Sequence, residues 1–354
     1  MTSMNRFEWR GDICPPVGAI LGSYKLLEIL GEGGMGRVYL AEHVHVGRKV
    51  ALKLLRPEYA DNPAASRRFF SEARAVNRVR HDNVVEITDS FDAEGSYNYY
   101  IMELLTGRTL GQVECDETLP VKRQLYIAVQ VADALVAVHA ANIVHRDLKP
   151  DNIFLTKRAG QTDFVKILDF GIAMVVESCE GEPSITTSMG TIVSTPEYMS
   201  PEQASGGAID SRSDIYSLGV TLYEMATRRK PLEAESFGEM LIKHLTVTPP
   251  KPSKLDDVPE PLPVALEDLI LHCLEKEPAR RPQTMREVYL RLKALAGNDA
   301  SASAYTTSTL QFTRSIDVTA GSGNPGPGRA ASLRCHPAPA PAGDTSGPWT
   351  GDSR

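Results

Sequence analysis

The sequence has few cysteines, no excess of basic residues and no long hydrophobic run. Its five cysteines are scattered and never form a C-x-x-C pair, which argues against a disulfide framework or a zinc site and favours the reducing cytoplasm. The formal net charge is −7 without a basic cluster, so nucleic acid is not an expected partner. Residues 1–16 lack the apolar core of a signal peptide, and the most apolar helical stretch, residues 127–144, is interrupted by polar side chains, so no membrane segment is expected.

What is present is a globular composition, 42% hydrophobic and 23% charged, in a chain long enough for a large domain with two lobes. The composition shifts beyond residue 297, and residues 321–354 are dense in Gly, Pro, Ser and Ala. Such a segment buries too little apolar surface to offset the entropy cost of ordering, so a disordered tail is expected over residues 297–354. The folded domain is expected over residues 24–296, after an N-terminal extension of residues 1–23.

The apolar periodicity changes within this folded region, from mostly strand-like to mostly helical after Gly107. Strands are expected at residues 24–30, 38–45, 49–54, 84–91 and 97–105. Helices are expected at residues 62–80, 125–141, 213–227, 262–273 and 284–295. The pattern therefore predicts an α+β fold with two lobes, a small β-rich N-terminal lobe over about residues 24–105 and a larger α-helical C-terminal lobe over about residues 106–296.

Five short motifs follow one another along this region. Gly-Glu-Gly-Gly-Met-Gly-Arg-Val occupies residues 31–38 between two predicted strands, which disfavours a dinucleotide-binding loop because that loop opens a helix. Val-Ala-Leu-Lys ends at Lys53, His-Arg-Asp-Leu-Lys-Pro-Asp-Asn occupies residues 145–152, Asp-Phe-Gly begins at Asp169, and Ser-Pro-Glu occupies residues 200–202. Each motif is weak alone, but together and in this order they form the protein-kinase signature set and predict transfer of the γ-phosphoryl group of ATP.

The first two motifs supply groups that can hold phosphates. Glycines without a Cβ let the backbone of the hairpin approach the phosphates closely. Lys53 lies in a hydrophobic strand, where an unpaired charge is costly, so a carboxylate partner is expected. That partner is predicted to be Glu72 on the first helix, with Glu58 as the weaker alternative, and the paired lysine would then contact the α- and β-phosphates.

The later motifs supply the groups that act on the transferred phosphoryl group. Asp147 is the candidate that orients the substrate hydroxyl and accepts its proton, and Lys149 can reach the γ-phosphate. Asn152 and Asp169 offer amide and carboxylate oxygens to a metal ion. Because the chemistry needs positioning and charge neutralisation, no covalent nucleophile is required. His145 is interpreted as a buried packing residue and not as a general base.

The motif set resembles the eukaryotic-like protein kinases, and the glycine-rich loop with residues 198–203 is most similar to the bacterial serine/threonine branch. The resemblance covers residues 24–295. It implies the two-lobed kinase fold, ATP with Mg²⁺ or alternatively Mn²⁺, and protein serine or threonine as substrate, since the lysine at position 149 accompanies that specificity. The implied nucleotide contacts are Leu30, Gly31, Glu32, Gly33, Gly34, Met35, Gly36, Arg37, Val38, Ala51, Lys53, Met102, Glu103, Leu105 and Phe154.

The same resemblance implies roles for residues outside the motifs. Met102 corresponds to the gatekeeper, Thr195 would bridge the catalytic aspartate and lysine, and Asp214 would anchor the catalytic loop. Glu202 would pair with Arg281. The implied catalytic set is Asp147, Lys149, Lys53, Glu72 and Thr195, and the implied metal ligands are Asn152 and Asp169.

One departure from the family pattern lies just before Thr195, where Ser194 stands in place of the usual glycine. The pair Gly190-Thr191 occurs four residues earlier, but the distance to Ser-Pro-Glu aligns Thr195 with the family threonine. Family members that carry Arg146 before the catalytic aspartate are commonly activated by a phosphate in the activation loop (residues 169–202). The candidate phosphorylation sites here are Thr187 and Thr191, and a homodimer would allow one copy to phosphorylate the other.

An active protein kinase has two alternatives. A nucleotide-binding pseudokinase scaffold is the main alternative, and the complete set of phosphate-, metal- and proton-handling groups argues against it. A small-molecule phosphotransferase of related fold is the second, and the activation loop with Ser-Pro-Glu favours a protein substrate instead. His43 and His45 alternate on a predicted strand but have no apparent third ligand, so no separate metal site is expected.

Overall fold

The computed structural model describes residues 14–33, 36–59, 62–91, 97–170 and 195–297. Strands dominate the first part of these ranges and helices the second, so the predicted α+β, two-lobed fold class is confirmed. In chain order the elements of the described residues are β1 (Ile20–Leu21), β2 (Tyr24–Glu32), β3 (Gly36–His43), β4 (Lys49–Leu55), α1 (Pro63–Arg78), β5 (Ile87–Phe91), β6 (Tyr99–Met102), β7 (Gly107–Thr109), α2 (Leu110–Asp116), α3 (Val121–Ala140), β8 (Ile153–Arg158), β9 (Gln161–Ile167), α4 (Pro201–Ala204), α5 (Ser211–Thr227), α6 (Phe237–Thr246), α7 (Val264–Cys273) and α8 (Met285–Gly297).

The N-terminal lobe is an antiparallel sheet whose described strands run in the order β1-β2-β3-β4-β6-β5. The sheet begins ahead of residue 24, because Ile20 and Leu21 pair with the first residues of β2. One face of the sheet buries an apolar cluster of its own, which includes Leu26, Tyr39 and Leu52. The alternating apolar residues of the strands produce this face, because successive side chains of a strand point to opposite sides.

Helix α1 packs against the other face of the sheet. Asn62 caps its start, since the Asn62 Oδ1 accepts hydrogen bonds from the backbone N–H groups of Ala64 and Ala65, and Pro63 occupies the first turn without needing a donor. The buried stripe of the helix includes Phe69 and Glu72. A carboxylate on this buried stripe needs a partner inside the fold.

The C-terminal lobe is built around α3 and α5, whose side chains are largely buried. Gly219 on α5 lets α7 approach closely, because a Cβ at this position would lie 2.7 Å from the Cβ of Cys273. A small sheet, β7-β8-β9, lies at the start of this lobe. In the part of the chain that the structure describes, no helix combines the length and the apolar composition that crossing a membrane would need.

The two lobes are joined by main-chain hydrogen bonds between β9 and the segment that precedes β5. Ile167 donates its N–H to the Asn83 carbonyl at 2.8 Å, and Val85 donates its N–H to the Ile167 carbonyl at 3.1 Å. The side-chain Nδ2 of Asn83 also donates to the Val165 carbonyl at 2.8 Å. Residues just after Ile167 are therefore held beneath the sheet of the N-terminal lobe.

Gly107, at the start of β7, is a position where substitution should cost stability. A Cβ there would lie 2.0 Å from the carbonyl oxygen of Leu155 and 3.0 Å from the ring of Phe154. We expect Gly107→Ala to lower the free energy of unfolding by roughly 2 kcal/mol or more, because the clash is with backbone and must displace β8. Gly160→Ala is the control, since Gly160 also has a positive φ but open space around it, and we expect it to cost about 1 kcal/mol. Equal losses in chemical denaturation would contradict the clash.

Candidate active site

The register of the N-terminal sheet places several predicted nucleotide contacts on one face. Val38 on β3 and Tyr100 on β6 lie directly opposite Lys53 on β4. Ala51, two residues before Lys53, lies opposite Met102. Because residues two apart in a strand share a face and cross-strand partners share it too, these five side chains line the same side of the sheet.

Lys53 forms a three-residue charge cluster that spans both lobes. Its Nζ lies 3.1 Å from the Oε1 of Glu72 on α1 and 2.6 Å from the Oδ1 of Asp169. The hydroxyl of Tyr100 donates to the same Glu72 oxygen at 3.0 Å. Glu58, the alternative partner, instead lies 3.7 Å from an arginine of its own segment. The structure therefore brings Lys53 and Glu72 together and adds Asp169 to the pair.

Burial and charge act in opposite directions on this cluster. Burial alone would lower the pKa of Lys53, but the charges of Asp169 and Glu72 raise it well above its ordinary value. Burial raises the pKa of Glu72, and the nearby Lys53 charge offsets only part of that effect. Lys53 is thus held as a cation at neutral pH, which suits a contact with phosphate oxygens.

The β8-β9 hairpin brings the two predicted metal ligands together. Ile153 pairs with Ile167, so Asn152 and Leu168 lie opposite each other at the open end of the hairpin. The Leu168 N–H donates to the Asn152 carbonyl at 2.9 Å and continues the ladder by one step. Asp169 follows directly, so the hairpin brings together two residues of the chain that 16 others separate.

The catalytic loop, residues 145–152, carries a network of hydrogen bonds around Asp147. The Nδ2 of Asn152 donates to both the carbonyl and the Oδ2 of Asp147, at 2.7 and 3.1 Å. Lys149 Nζ lies 2.9 Å from the same Oδ2 and donates to the hydroxyl of Thr195 at 3.0 Å. Thr195 thus contacts Lys149 directly and is linked to Asp147 through that lysine.

The catalytic loop is anchored to the start of α5 by Asp214. The fully buried Asp214 carboxylate accepts the backbone N–H groups of His145 and Arg146, each at 2.8 Å, and lies 2.7 Å from the Nε2 of His139. Burial alone would raise the pKa of Asp214, but the hydrogen bond and charge of His139 lower it. Arg146 adopts a φ of +69°, a conformation uncommon for a residue with a side chain, and the Asp214 anchor helps to hold it. His145 is fully buried, and its Nε2 lies 3.0 Å from the Leu168 carbonyl.

Glu202 and Arg281 form a buried pair in the C-terminal lobe. Two nitrogens of Arg281 donate to the two oxygens of Glu202, each at 2.8 Å, and the hydroxyl of Ser213 donates to Glu202 as well. Burial alone would raise the pKa of Glu202, but the hydrogen bonds from Arg281 and Ser213 lower it. The pair ties the end of the activation loop to the segment before α8.

The described residues on either side of the glycine-rich loop's turn belong to β2 and β3. The Gly33 N–H donates to the Gly36 carbonyl at 2.8 Å, and Glu32 pairs with Arg37 at 2.6 Å across the turn. A Cβ on Gly36 would lie 2.8 Å from the carbonyl oxygen of Leu54, so only glycine allows β3 to lie this close to β4. Among the predicted nucleotide contacts in this hairpin, the side chains of Glu32 and Arg37 are paired with each other.

The side chain of Glu103 stabilises the hinge between the lobes. Glu103 donates its backbone N–H to the Glu86 carbonyl at 3.0 Å, and its Oε1 accepts the Glu86 N–H at 2.8 Å. The same oxygen lies 2.5 Å from the Nζ of Lys166 on β9. The Glu103 side chain is therefore committed to the protein, and its role toward a nucleotide would be through the backbone.

The remaining predicted nucleotide contacts keep accessible surface. Leu105 and Phe154 are half-buried, and Leu30 is exposed. Gly31 pairs with Val38 across the β2-β3 hairpin, next to the loop turn. Apolar side chains with surface remaining are suited to enclose a planar base.

Asn152 and Asp169 have the chemistry of a magnesium site. Both Nδ2 contacts of Asn152 go to Asp147, which turns the Asn152 Oδ1 away from the aspartate, and Asp169 bonds Lys53 through one carboxylate oxygen. Amide and carboxylate oxygens are the donors that Mg²⁺ and Mn²⁺ prefer. Within the described ranges no cluster of three or more His, Cys, Asp and Glu residues has the arrangement of a metal site.

Several predicted residues lie outside the described residues. These are Gly34, Met35, Ser194 and the candidate phosphorylation sites Thr187 and Thr191. The predicted tail from residue 298 onward also lies outside them.

The structure adds three residues that the motifs do not contain. Tyr100 bonds Glu72, His139 contacts Asp214, and Lys166 braces the hinge. Lys166 carried a usable signal, because a lysine between the apolar residues Val165 and Ile167 needs a partner. Tyr100 carried none, since it fits the apolar pattern of its strand, and His139 showed only as a polar interruption of an apolar helix.

Comparisons with known proteins agree with this geometry. The protein kinase domain family matches residues 24–290. The serine/threonine-protein kinase Pkn1 of Myxococcus xanthus is 45% identical over 75% of this chain and 37% of its own length, and PrkC of Bacillus subtilis is 35% identical over 77% of this chain and 40% of its own. The crystal structure of the Mycobacterium tuberculosis PknI kinase domain superposes with a TM-score of 0.60 at 27% identity, covering 79% of this chain and 99% of that one.

The chain spans about a third to half of the length of several curated relatives that it matches. The part that they share is the described two-lobed fold with its catalytic loop. On the extent of the domain match, the chain belongs to the protein kinase family and is related to its bacterial serine/threonine members.

Proposed function

We propose that this chain transfers the γ-phosphoryl group of ATP to serine and threonine hydroxyls of proteins. The proposal rests mainly on two sets of contacts. Lys53 forms ion pairs with Glu72 and Asp169, and in the catalytic loop Lys149 forms an ion pair with Asp147. These groups come from both lobes. Their convergence suits phosphoryl transfer, which depends on positioned charges more than on covalent chemistry.

Each group has a role that follows from its neighbours. Asp147 orients the incoming hydroxyl and accepts its proton, because its carboxylate is fixed by Asn152 and Lys149. Lys149 balances negative charge that develops on the transferred group, and Thr195 fixes the position of its ammonium. Lys53 holds the α- and β-phosphates, and Glu72 keeps the lysine in place.

Asn152 and Asp169 would hold Mg²⁺, with Mn²⁺ as a substitute, through amide and carboxylate oxygens. The metal supplies neutralisation of phosphate charge when bound. This chain's contribution is the hairpin register that makes the two ligands neighbours and the Lys53 contact that keeps the Asp169 carboxylate ionised.

The nucleotide base would lie against the sheet face that carries Val38, Ala51 and Met102, with Phe154 on the opposite side. The hinge would offer backbone groups of Glu103 and Leu105, since the Glu103 side chain is bonded elsewhere. The phosphates would lie under the glycine-rich loop.

The pseudokinase alternative lacks a supporting observation. Such a scaffold would keep the nucleotide cleft but would have no need for Lys149 and Thr195 bonded to each other beside Asp147.

The proposal covers the activity of the whole protein, its protein substrates, a homodimer and the cytoplasmic compartment. It also assigns three segments of the chain: residues 1–23 as an extension, residues 24–296 as the kinase domain and residues 297–354 as a tail.

Incubation with γ-labelled ATP, Mg²⁺ and a generic protein substrate tests the proposal directly. We expect label on the protein as phosphoserine and phosphothreonine, and loss of labelling when the metal is removed with EDTA. Nucleotide binding without any labelling, in protein of native fold, would instead favour the scaffold. Labelling confined to a small molecule would favour the second alternative.

Activation by phosphate is a separate prediction. The guanidinium Nε of Arg146 is buried and has no hydrogen-bond partner among the described residues. This suits a group that binds an anion such as phosphate. We propose Thr187 and Thr191 as the phosphorylated residues. Mass spectrometry of active protein is expected to find phosphate on one or both, and the double alanine variant is expected to lose about 10-fold or more in activity. Full activity without phosphate in the loop would contradict this prediction.

A further inference from the structure

His244 on α6 is a buried histidine whose two ring nitrogens are both committed to other groups. Its side chain is fully buried. The Nε2 lies 2.9 Å from the carbonyl oxygen of Pro196, and the Nδ1 lies 3.0 Å from the hydroxyl of Tyr216 on α5. The ring therefore connects two helices of the C-terminal lobe to the segment that follows Thr195.

The direction of this hydrogen-bond chain follows from its ends. A carbonyl oxygen can only accept, so the proton of the neutral ring must be on Nε2, and Nδ1 must accept from the Tyr216 hydroxyl. The Tyr216 oxygen in turn accepts from the Nζ of Lys276 at 3.2 Å. The chain runs one way, from Lys276 through Tyr216 and His244 to Pro196.

The ring is also held in its neutral form. Burial, reinforced by the positive charge of Lys276, lowers the pKa of His244 to about 4. Glu197 is the other charged group that affects it, and its carboxylate is paired with Lys230 at 3.1 Å. At neutral pH the ring therefore carries one proton, which it donates from Nε2 to the Pro196 carbonyl.

The Pro196 carbonyl lies one residue from a predicted catalytic group. Thr195 accepts a hydrogen bond from Lys149 at 3.0 Å, and Lys149 lies 2.9 Å from the Oδ2 of Asp147. Other side chains hold the same segment at later residues, as Ser217 does by donating to the Tyr198 carbonyl. His244 acts on the carbonyl of the Pro196–Glu197 peptide unit, one residue after Thr195.

We propose that His244 is a positioning residue, which holds the Pro196 carbonyl and thereby keeps the Thr195 hydroxyl in contact with Lys149. This inference rests on the proposed phosphoryl transfer. A purely packing role would need neither ring nitrogen, and an apolar side chain of similar size would fill the same space without two polar atoms to satisfy. The commitment of both nitrogens, in an order fixed by the carbonyl, points to the hydrogen bond itself.

Three substitutions separate the hydrogen bond from the packing. In His244→Gln the side-chain amide can reach the position of Nε2 and still donate to Pro196. In His244→Asn the shorter amide reaches only the position of Nδ1, and in His244→Ala neither is replaced. We expect the Asn and Ala variants to lose about 10-fold in kcat, with the KM for ATP unchanged, and the Gln variant to remain within about threefold of wild type.

The controls cover folding and the orientation of the ring. Ile242→Ala, at an exposed position on the same helix, should leave kcat unchanged. Tyr216→Phe removes the donor that selects the ring tautomer and should lower kcat by a smaller factor than His244→Ala. Unfolding temperatures recorded for all variants separate loss of catalysis from loss of fold, and the comparison of Gln with Asn remains informative if the Ala variant is unstable.

A measurement without activity tests the geometry independently. Nitrogen-15 NMR of the histidine side chains should show His244 as the neutral Nε2–H tautomer at neutral pH. The Nδ1–H tautomer, a protonated ring, or equal kcat in the Gln, Asn and Ala variants would overturn the inference. Wild-type protein that shows the expected tautomer but transfers no phosphate would instead count against the proposed function.

Discussion

Asp147→Asn is expected to reduce phosphoryl transfer by about 10³-fold while leaving the fold intact. The Oδ2 of Asp147 faces two donors, Lys149 Nζ at 2.9 Å and Asn152 Nδ2 at 3.1 Å. An asparagine can turn its carbonyl oxygen toward both donors, so the loop keeps its hydrogen bonds. Its amide cannot accept a proton from the substrate hydroxyl, so the chemical step alone is lost.

The measurement is single-turnover transfer of labelled phosphate, together with nucleotide affinity and the temperature of unfolding. Asp116→Asn is a matched control, because Asp116 is exposed on α2 and its ion pair, among the residues that the structure describes, is with Arg108. Lys53→Met is expected to weaken ATP binding as well as phosphoryl transfer, because it leaves two carboxylates without their cation. An Asp147→Asn rate within tenfold of wild type would remove Asp147 from its proposed role.

Arg281→Met is expected to lower the free energy of unfolding by about 3–5 kcal/mol, the cost of leaving a buried charge without its partner. The Arg281 side chain is fully buried and donates to both oxygens of Glu202. It also donates to the backbone carbonyls of Glu275, Lys276 and Arg212. Its loss therefore leaves one carboxylate and three carbonyls with fewer donors inside the lobe.

The stability lost in Arg281→Met should depend on pH. In the wild type the pKa of Glu202 is lower in the folded state than in the unfolded one, so its pairing stabilises the fold above the unfolded pKa and is lost as pH falls through the folded pKa. In the variant an unpaired buried Glu202 prefers to be protonated, so the deficit should shrink as the pH is lowered. Denaturant unfolding at about pH 7 and about pH 4 measures both effects.

Arg280→Met is the matched control for Arg281→Met. Arg280 is the preceding residue, 66% exposed, and its only described ion pair is with the equally exposed Glu277. We expect it to change the free energy of unfolding by less than about 0.5 kcal/mol. Similar losses from the two arginines would show that the effect does not come from the buried pair.

The sequence alone predicts the fold class and the residues of the motifs because their spacing is fixed by the chemistry. Lys53, Asp147 and Asp169 belong to strands and loops that are bounded by apolar runs, and each lies where the motif order predicts it. Pairing of Glu72 with Lys53 was predictable as well, since a carboxylate on the buried stripe of a helix needs a cation.

Other parts of the fold could not be predicted, for reasons that are physical. Strand β1 has two residues and gives no periodic signal, and α2 has only seven. Neither α2 nor α6 was predicted, although α6 is as long as the predicted α7. The interactions of His244 depend on which helix packs beside α6, and a single histidine in an amphipathic segment does not reveal that. Tertiary contacts between elements far apart in the chain decide such positions.

The most direct test of the account is the structure of the protein with a non-hydrolysable ATP analogue and Mg²⁺. We expect the metal on Asn152 and Asp169, the Lys53 ammonium on the α- and β-phosphates, and Lys149 near the γ-phosphate. A nucleotide bound away from these residues, or a metal held by other side chains at saturating ligand, would contradict it.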